Sequence, residues 1–231
     1  ISVSAALTGV QIQGGSGNDT ISLEVDGAVA SGAGTIVGGG GADSISVSGA
    51  VAGSDVDGLT YKLGAGSDTL KFTGGIDTTD LGTIVVSSLS DSTVSTLDTI
   101  DSVAGVGQSI DIDLTSAGFA NSAVVAVASG TSTAAFTTGV GVSGSISGGV
   151  MTVTNTVTSL PTMAGYADTA TTKQGAGATL LFTNGVDSFL FVQGGSAGIG
   201  DDYVIKIASG DISTGAPLTI ANGIADVDFT R

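Results

Sequence analysis

Three stretches in the first third of the chain carry one nine-residue pattern, and this repeat constrains the fold more than any other feature. GGSGNDTIS (residues 14–22), GGGGADSIS (38–46) and LGAGSDTLK (63–71) align without gaps. Each holds an aspartate in its sixth position, Asp19, Asp43 and Asp68, at intervals of 24 and 25 residues. A fainter repeat precedes each copy: GVQIQG (9–14), GTIVGG (34–39) and LTYKLG (59–64). A unit therefore reads strand, Gly-rich turn with Asp, strand, longer loop. After each turn the apolar residues alternate, as in Ile21, Leu23 and Val25, in Ile45 and Val47, and in Leu70 and Phe72. Period two places them on one face of a strand. A unit of this size has nothing to bury that face against by itself. Stacked units do, which is the logic of a β-solenoid.

Composition agrees with many short strands and tight turns. The chain has 39 Gly but only 2 Pro and no G-X-Y period, which excludes collagen. Hydrophobic residues make up 41%, too many for a disordered polymer. Aromatics are few, 7 Phe and 3 Tyr with no Trp, so the core is expected to be Val, Ile, Leu and Ala. Five basic residues stand against 21 acidic ones, for a net charge of −16, and Glu24 is the sole glutamate. Aspartate favours turns and caps over helix interiors. A surface this acidic repels nucleic acid, and its self-repulsion calls for cations or a salty habitat. With no Cys and no His, disulfides, thiolate or imidazole metal sites and Ser–His–Asp triads are all excluded. No apolar run reaches the ~18 residues of a membrane span. The sequence starts at Ile1 rather than Met, and is expected to be a processed form or a fragment.

Two regions are expected, residues 1–75 as solenoid coils and 76–231 as an all-β region, either sandwich-like or a continued solenoid. Ile110, Ile112 and Leu114 alternate with Asp111 and Asp113, which predicts a strand with one wet face. Further strands are expected at 123–128, 140–146 and 150–157, with hairpins across 131–149 and a short helix at about 161–167. TLLF (179–182) and SFLFVQ (188–193) around Asn184-Gly185 predict a β-hairpin, followed by a strand at YVIKIA (203–208). Asp201 and Asp202 read as solvated loop acids. Six of the ten aromatics lie in residues 166–231, which places a compact core there.

The three Asp-bearing turns resemble the G-G-x-G-x-D-x-U-x nonapeptide of the RTX (hemolysin-type) calcium-binding proteins, U being a large apolar residue. Residues 14–22 and 38–46 match every position, whereas 63–71 departs at the first, with Leu63 for Gly. The resemblance implies calcium (Ca2+) held between stacked turns, with Asp19, Asp43 and Asp68 as ligands. Gly15, Gly17, Gly39, Gly41, Gly64 and Gly66 would then supply carbonyls or the turn shape. A hard cation of this kind takes six to eight oxygens at roughly 2.3–2.6 Å. Family coils repeat the nonapeptide in tandem, about every 18 residues per coil. Here the copies stand apart, so calcium is expected along one edge of a looser solenoid.

Residues 178–213 resemble the C-terminal region of type I secreted RTX proteins, a group that includes many bacterial surface-layer (S-layer) proteins. Phe182, Asp187, Phe189, Phe191, Asp201, Asp202 and Ile207 take the places of its pattern. The resemblance implies an extracellular, cell-surface structural protein that self-assembles into a lattice or filament, with a cell-surface polysaccharide as a further candidate partner. The alternative is an adhesin or the C-terminal secretion module of a larger RTX protein. No enzyme is expected. Paired carboxylates could run glycoside hydrolysis, but such sites want aromatic platforms and an apolar pocket, and no Walker lysine follows the Gly-rich loops.

Overall fold

The computed structural model describes residues 2–5, 9–26, 34–50, 52–76, 80–101, 108–119, 125–126, 136–137, 143–147, 149–153, 159–171, 175–183, 187–196, 198–208 and 218–229. The chain is mostly β and its N-terminal part is a parallel β-solenoid. Ten strands form the stack: β1 (Ser2–Ala5), β2 (Val10–Ser16), β3 (Thr20–Val25), β4 (Gly34–Gly40), β5 (Ser44–Gly49), β6 (Leu59–Ala65), β7 (Thr69–Thr73), β8 (Asp80–Val85), β9 (Asp98–Asp101) and β10 (Gln108–Asp113). One sheet pairs in parallel as β2-β4-β6-β8-β10, and the facing one as β1-β3-β5-β7-β9. Parallel stacking of the two-strand units thus continues past residue 75.

The register explains why the repeat folds this way. Ile21 pairs with Ile45, Ile45 with Leu70, and Leu70 with Ile100. On the facing sheet Ile12, Ile36, Tyr61, Ile84 and Ile112 form a second column. All nine are buried in one cluster, where Tyr61 meets Phe72 edge to face at a centroid distance of 5.7 Å. Burying each such side chain is worth about 1.5–3 kcal/mol, and the alternation leaves Ser22, Ser46 and Lys71 outside.

The remaining elements are β11 (Val125–Ala126), β12 (Phe136–Thr137), β13 (Ser143–Ser147), β14 (Val150–Val153), helix α1 (Leu160–Thr171), β15 (Ala178–Thr183), β16 (Ser188–Val192), β17 (Tyr203–Ala208), β18 (Leu218–Ala221) and β19 (Ile224–Phe229). Both sheets of the stack run on into them. β17 pairs with β9 in parallel, and β16 and β15 follow it antiparallel. On the other sheet β19 closes on β10 antiparallel, with β18 beyond it. The predicted hairpin is β15–β16, and YVIKIA is β17. The helix is longer than expected. Pro161 stands in its first turn, where its missing N–H leaves no bond unmade. Met163, Ala164 and Ala167 pack with Leu180, Phe182, Phe189 and Phe191 in a second core, which with Tyr166 holds four of the expected C-terminal aromatics, while Tyr203 lies in the first cluster. Much of 120–158, including most of the strands and hairpins expected there, lies outside the described residues.

Candidate functional site

The repeated aspartates form a ladder along one edge of the solenoid. The backbone N–H of Asp19 donates to Asp43 Oδ1 at 2.8 Å, that of Asp43 to Asp68 Oδ1 at 2.7 Å, and that of Asp68 to Asp98 Oδ1 at 2.9 Å. Each coil thus hands one N–H to the carboxylate of the next. In return Ser44 N donates to Asp19 O, Thr69 N to Asp43 O and Thr99 N to Asp68 O. Asp43, Asp68 and Asp98 are 2%, 1% and 1% exposed. Buried carboxylates are expensive unless their oxygens find partners. Oδ1 has one from the second coil onward, but Oδ2 of Asp19, Asp43 and Asp68 is buried with none among the described residues.

The glycines of the turns explain the geometry. Gly15, Gly17, Gly39, Gly41, Gly64 and Gly66 all have positive φ, from 94° to 147°, which disfavours a side chain. Four of them also permit close backbone approach. A Cβ on Gly39 or Gly64 would lie 2.0 Å from the carbonyl oxygen of the preceding coil's glycine, and one on Gly41 or Gly66 would strike Gly17 or Gly41. The first position of the repeat is glycine for another reason. A Cβ on Gly14 would stand 2.5 Å from Gly38 O and 2.8 Å from Asp19 Oδ2, and one on Gly38 2.4 Å from Leu63 O and 2.6 Å from Asp43 Oδ2. Carbonyl and carboxylate oxygens of adjacent coils thus crowd the same side of these glycines.

Leu63 breaks the repeat where the stack changes. β8 pairs with β6 at Thr60 and Tyr61, short of this position. Here a cavity of about 10 Å³, room for one water-sized molecule, is lined by Leu63, Asp91, Asp98 and Tyr203 among others. Asp98 is the fourth rung, which the sequence reading did not include. Asp98-Thr99-Ile100 repeats Asp19-Thr20-Ile21, a usable signal despite the absence of a Gly-rich turn. The ladder ends at Ser92, whose hydroxyl accepts the N–H of Asp98 at 2.8 Å and donates to Val204 O, while Val204 N donates to Ser92 O. One serine therefore joins the ladder to β17.

Burial decides the charge state of these acids. Desolvation raises Asp68 to about 6 and Asp98 to about 8, with neighbouring carboxylates pushing the same way and the backbone N–H bonds opposing. A second cluster lies in the Gly-rich loop after β16. Asp202 was expected to be solvated, yet it is fully buried and accepts from Gly194 N at 2.8 Å, because the loop folds back on itself. Desolvation raises it to about 7. Asp201 accepts from Ser196 N, and Asp168 of α1 accepts from Gln193 Nε2 and Gly198 N, which pins the loop to the helix.

The donor set suits a hard cation in kind, being all oxygen and including unpartnered buried carboxylate atoms. Its layout is a row, one carboxylate per coil. Among the described residues no three acidic side chains are placed to hold one metal ion. Among those residues, too, no helix is long and apolar enough to cross a membrane. Comparison with protein-family profiles, with curated proteins and with solved structures finds no match to this chain.

Proposed function

We propose that this chain is a structural, self-assembling extracellular surface protein of the RTX kind, a subunit of a surface layer or filament that calcium orders. The observation that carries this reading is the row of buried Oδ2 atoms on Asp19, Asp43 and Asp68, none with a partner, on an edge where turn carbonyls crowd the same glycines. In this reading Asp19, Asp43 and Asp68 hold the cation with carbonyl oxygens of the turns, and water completes the shell. Calcium supplies positive charge to this row, in which burial otherwise drives Asp68 toward protonation. Its binding free energy then adds to folding and assembly free energy. The acidity of the whole chain acts in the same direction, since cations offset the self-repulsion of a net charge of −16. A catalytic role is not part of this reading, because the chain has no imidazole or thiol to serve as base or nucleophile.

The test is circular dichroism and particle size in excess chelator and after adding back calcium or magnesium. Order and assembly are expected to fall in chelator, to return at calcium of about 10⁻⁴–10⁻³ M as for extracellular calcium modules, and to return poorly with magnesium. Identical spectra and particle size throughout would reject the calcium reading. A chain that orders with calcium yet stays monomeric would point to the adhesin or secretion-module alternative.

A further inference from the structure

We propose that the outer edge of β2, with the Asp19 carboxylate at its end, is a docking edge for one further polypeptide coil of the same strand–Gly-x-Gly-x-Asp pattern, added in parallel register. The inference goes beyond the calcium reading and does not depend on it.

The two ends of the stack differ. At the far end β19 lies antiparallel on β10, so the parallel coils stop there. At the near end β1 already extends its sheet one strand beyond β3, while β2 is the last strand of the facing sheet among the described residues. The next strand to join would therefore lie beside β2. The surface it would meet has the shape of every other coil interface. A Cβ on Gly39 or Gly41 collides with the preceding coil, whereas among the described residues the same atom on Gly15 or Gly17 meets nothing within 4 Å. The ladder is open there too. Asp43, Asp68 and Asp98 each accept an N–H from the coil before, but among the described residues none reaches Asp19 Oδ1. Edge strands that must stay unpaired are usually guarded by charge, proline or a bulge. Val10-Gln-Ile-Gln-Gly-Gly-Ser16 has no charged residue and no proline, and it pairs with β4 through Ser16↔Gly40. The occupant is set by continuity with the coil–coil interface. It must bring a backbone N–H to Asp19 Oδ1 and lay its turn carbonyl against Gly15, which a turn of this same pattern does.

The register defines the test. Ser2 pairs with Ser22, so a copy of residues 10–20 placed directly ahead of Ile1 enters as the next turn in phase. All measurements are made in chelator, which separates the outcome from that of the calcium reading. The extended chain is expected to melt at least about 4 °C higher than the original, with β2 amides exchanging at least about 10-fold more slowly. Asp19→Ala should shift the original chain by less than about 2 °C, since its carboxylate has no donor there, yet remove a large part of the gain in the extended chain. Gly15→Ala puts its methyl into open space in the original chain and against a carbonyl in the extended one, so it should cancel the gain even though its positive-φ strain is common to both. An unchanged melt, added residues that exchange like free peptide, or equal effects of both substitutions in the two chains would overturn the proposal. So would a dimer of the original chain, seen by sedimentation, in which β2 is already protected by a second copy.

Discussion

The parallel coils and the antiparallel C-terminal strands bury similar residues, but they reach that state by different routes. In the coils one residue type recurs at one place, so Ile21, Ile45, Leu70 and Ile100 stack directly. In the C-terminal part antiparallel pairing sets the register, and aromatics do the filling, as in the stacked pair Phe182–Phe189 at 5.1 Å. Repetition has a consequence that the hairpin lacks. Whatever one Gly-rich turn leaves unpartnered, its copies leave unpartnered, and the result is the row of Oδ2 atoms on Asp19, Asp43 and Asp68. The two regions are nevertheless one sheet through β9 and β17, where Ile100 pairs with Ile207.

That continuity predicts a single cooperative transition. Phe72→Ala in the coils and Phe191→Ala in the C-terminal core should each remove about 3–5 kcal/mol and lower the same calorimetric transition by roughly 6–20 °C. Two separated transitions, of which only one moves with each substitution, would show that the seam at Ser92 and β17 does not couple the regions.

The buried acids sharpen the comparison at a smaller scale. Asp68→Ala takes the acceptor from the buried N–H of Asp43, and Asp202→Ala takes it from Gly194 N. Each is expected to cost about 1–3 kcal/mol by urea unfolding, with Asn variants milder because they keep an acceptor oxygen. The coil position should be the more sensitive, since its N–H is buried and that of Gly194 only partly so. If Asp68→Ala and Asp68→Asn were equally stable, the rung would contribute nothing.

Acidity tests both regions together. Asp68, Asp98 and Asp202 are raised to about 6, 8 and 7, chiefly by desolvation. A carboxyl with its folded pKa above the unfolded value binds its proton more tightly when folded. Its contribution is complete below the ordinary value near 3.8 and is lost as pH climbs through 6 to 8. In chelator the melting temperature should therefore fall between pH 5 and pH 8.5, and the fall should be shallower for Asp98→Asn. A rise over that interval would contradict the burial of these acids. Added calcium should recover more at the upper end of the range than at the lower.

How much of this was legible follows from the same contrast. Repetition made the coils readable, because three aligned turns fix strand order, register and inward face together. The hairpin was readable from Asn184-Gly185 and its flanking apolar runs. The fourth rung was hidden because Asp98 arrives without glycines. Its turn needs none, since β8 has drawn away from β6 by then. Asp202 was misread as solvated because nothing local says that a Gly-rich loop closes over its own acid. Pairing of β19 with β10 was invisible for a related reason, since a contact between residues 108 and 229 has no local signature.

The pairing of β19 with β10 carries the smallest prediction. Within the coils outward residues stack without conflict, Ser22 on Ser46 and Lys71 beside Asp101 at 2.9 Å. Where the antiparallel strand joins, Asp111 falls directly opposite Asp226, with Asp80 near both, and Asp226 Oδ1 is left buried with no partner. Desolvation, then Asp80 and Asp226, raise Asp111 to about 6. Like charges placed opposite each other in a ladder destabilise it, by about 0.2–1 kcal/mol for such pairs. Asp111→Asn should thus stabilise the chain by that amount at pH 8 in chelator, and Asp226→Asn, whose partner hydroxyls on Ser109 and Thr219 can still bond to the amide, should gain slightly less. The double variant should gain less than the sum of the two single ones, because either substitution already removes the repulsion between this pair. Additive gains would mean that the two carboxylates do not sense each other, and a loss of stability at Asp111→Asn would mean that this carboxylate has a cation partner even in chelator.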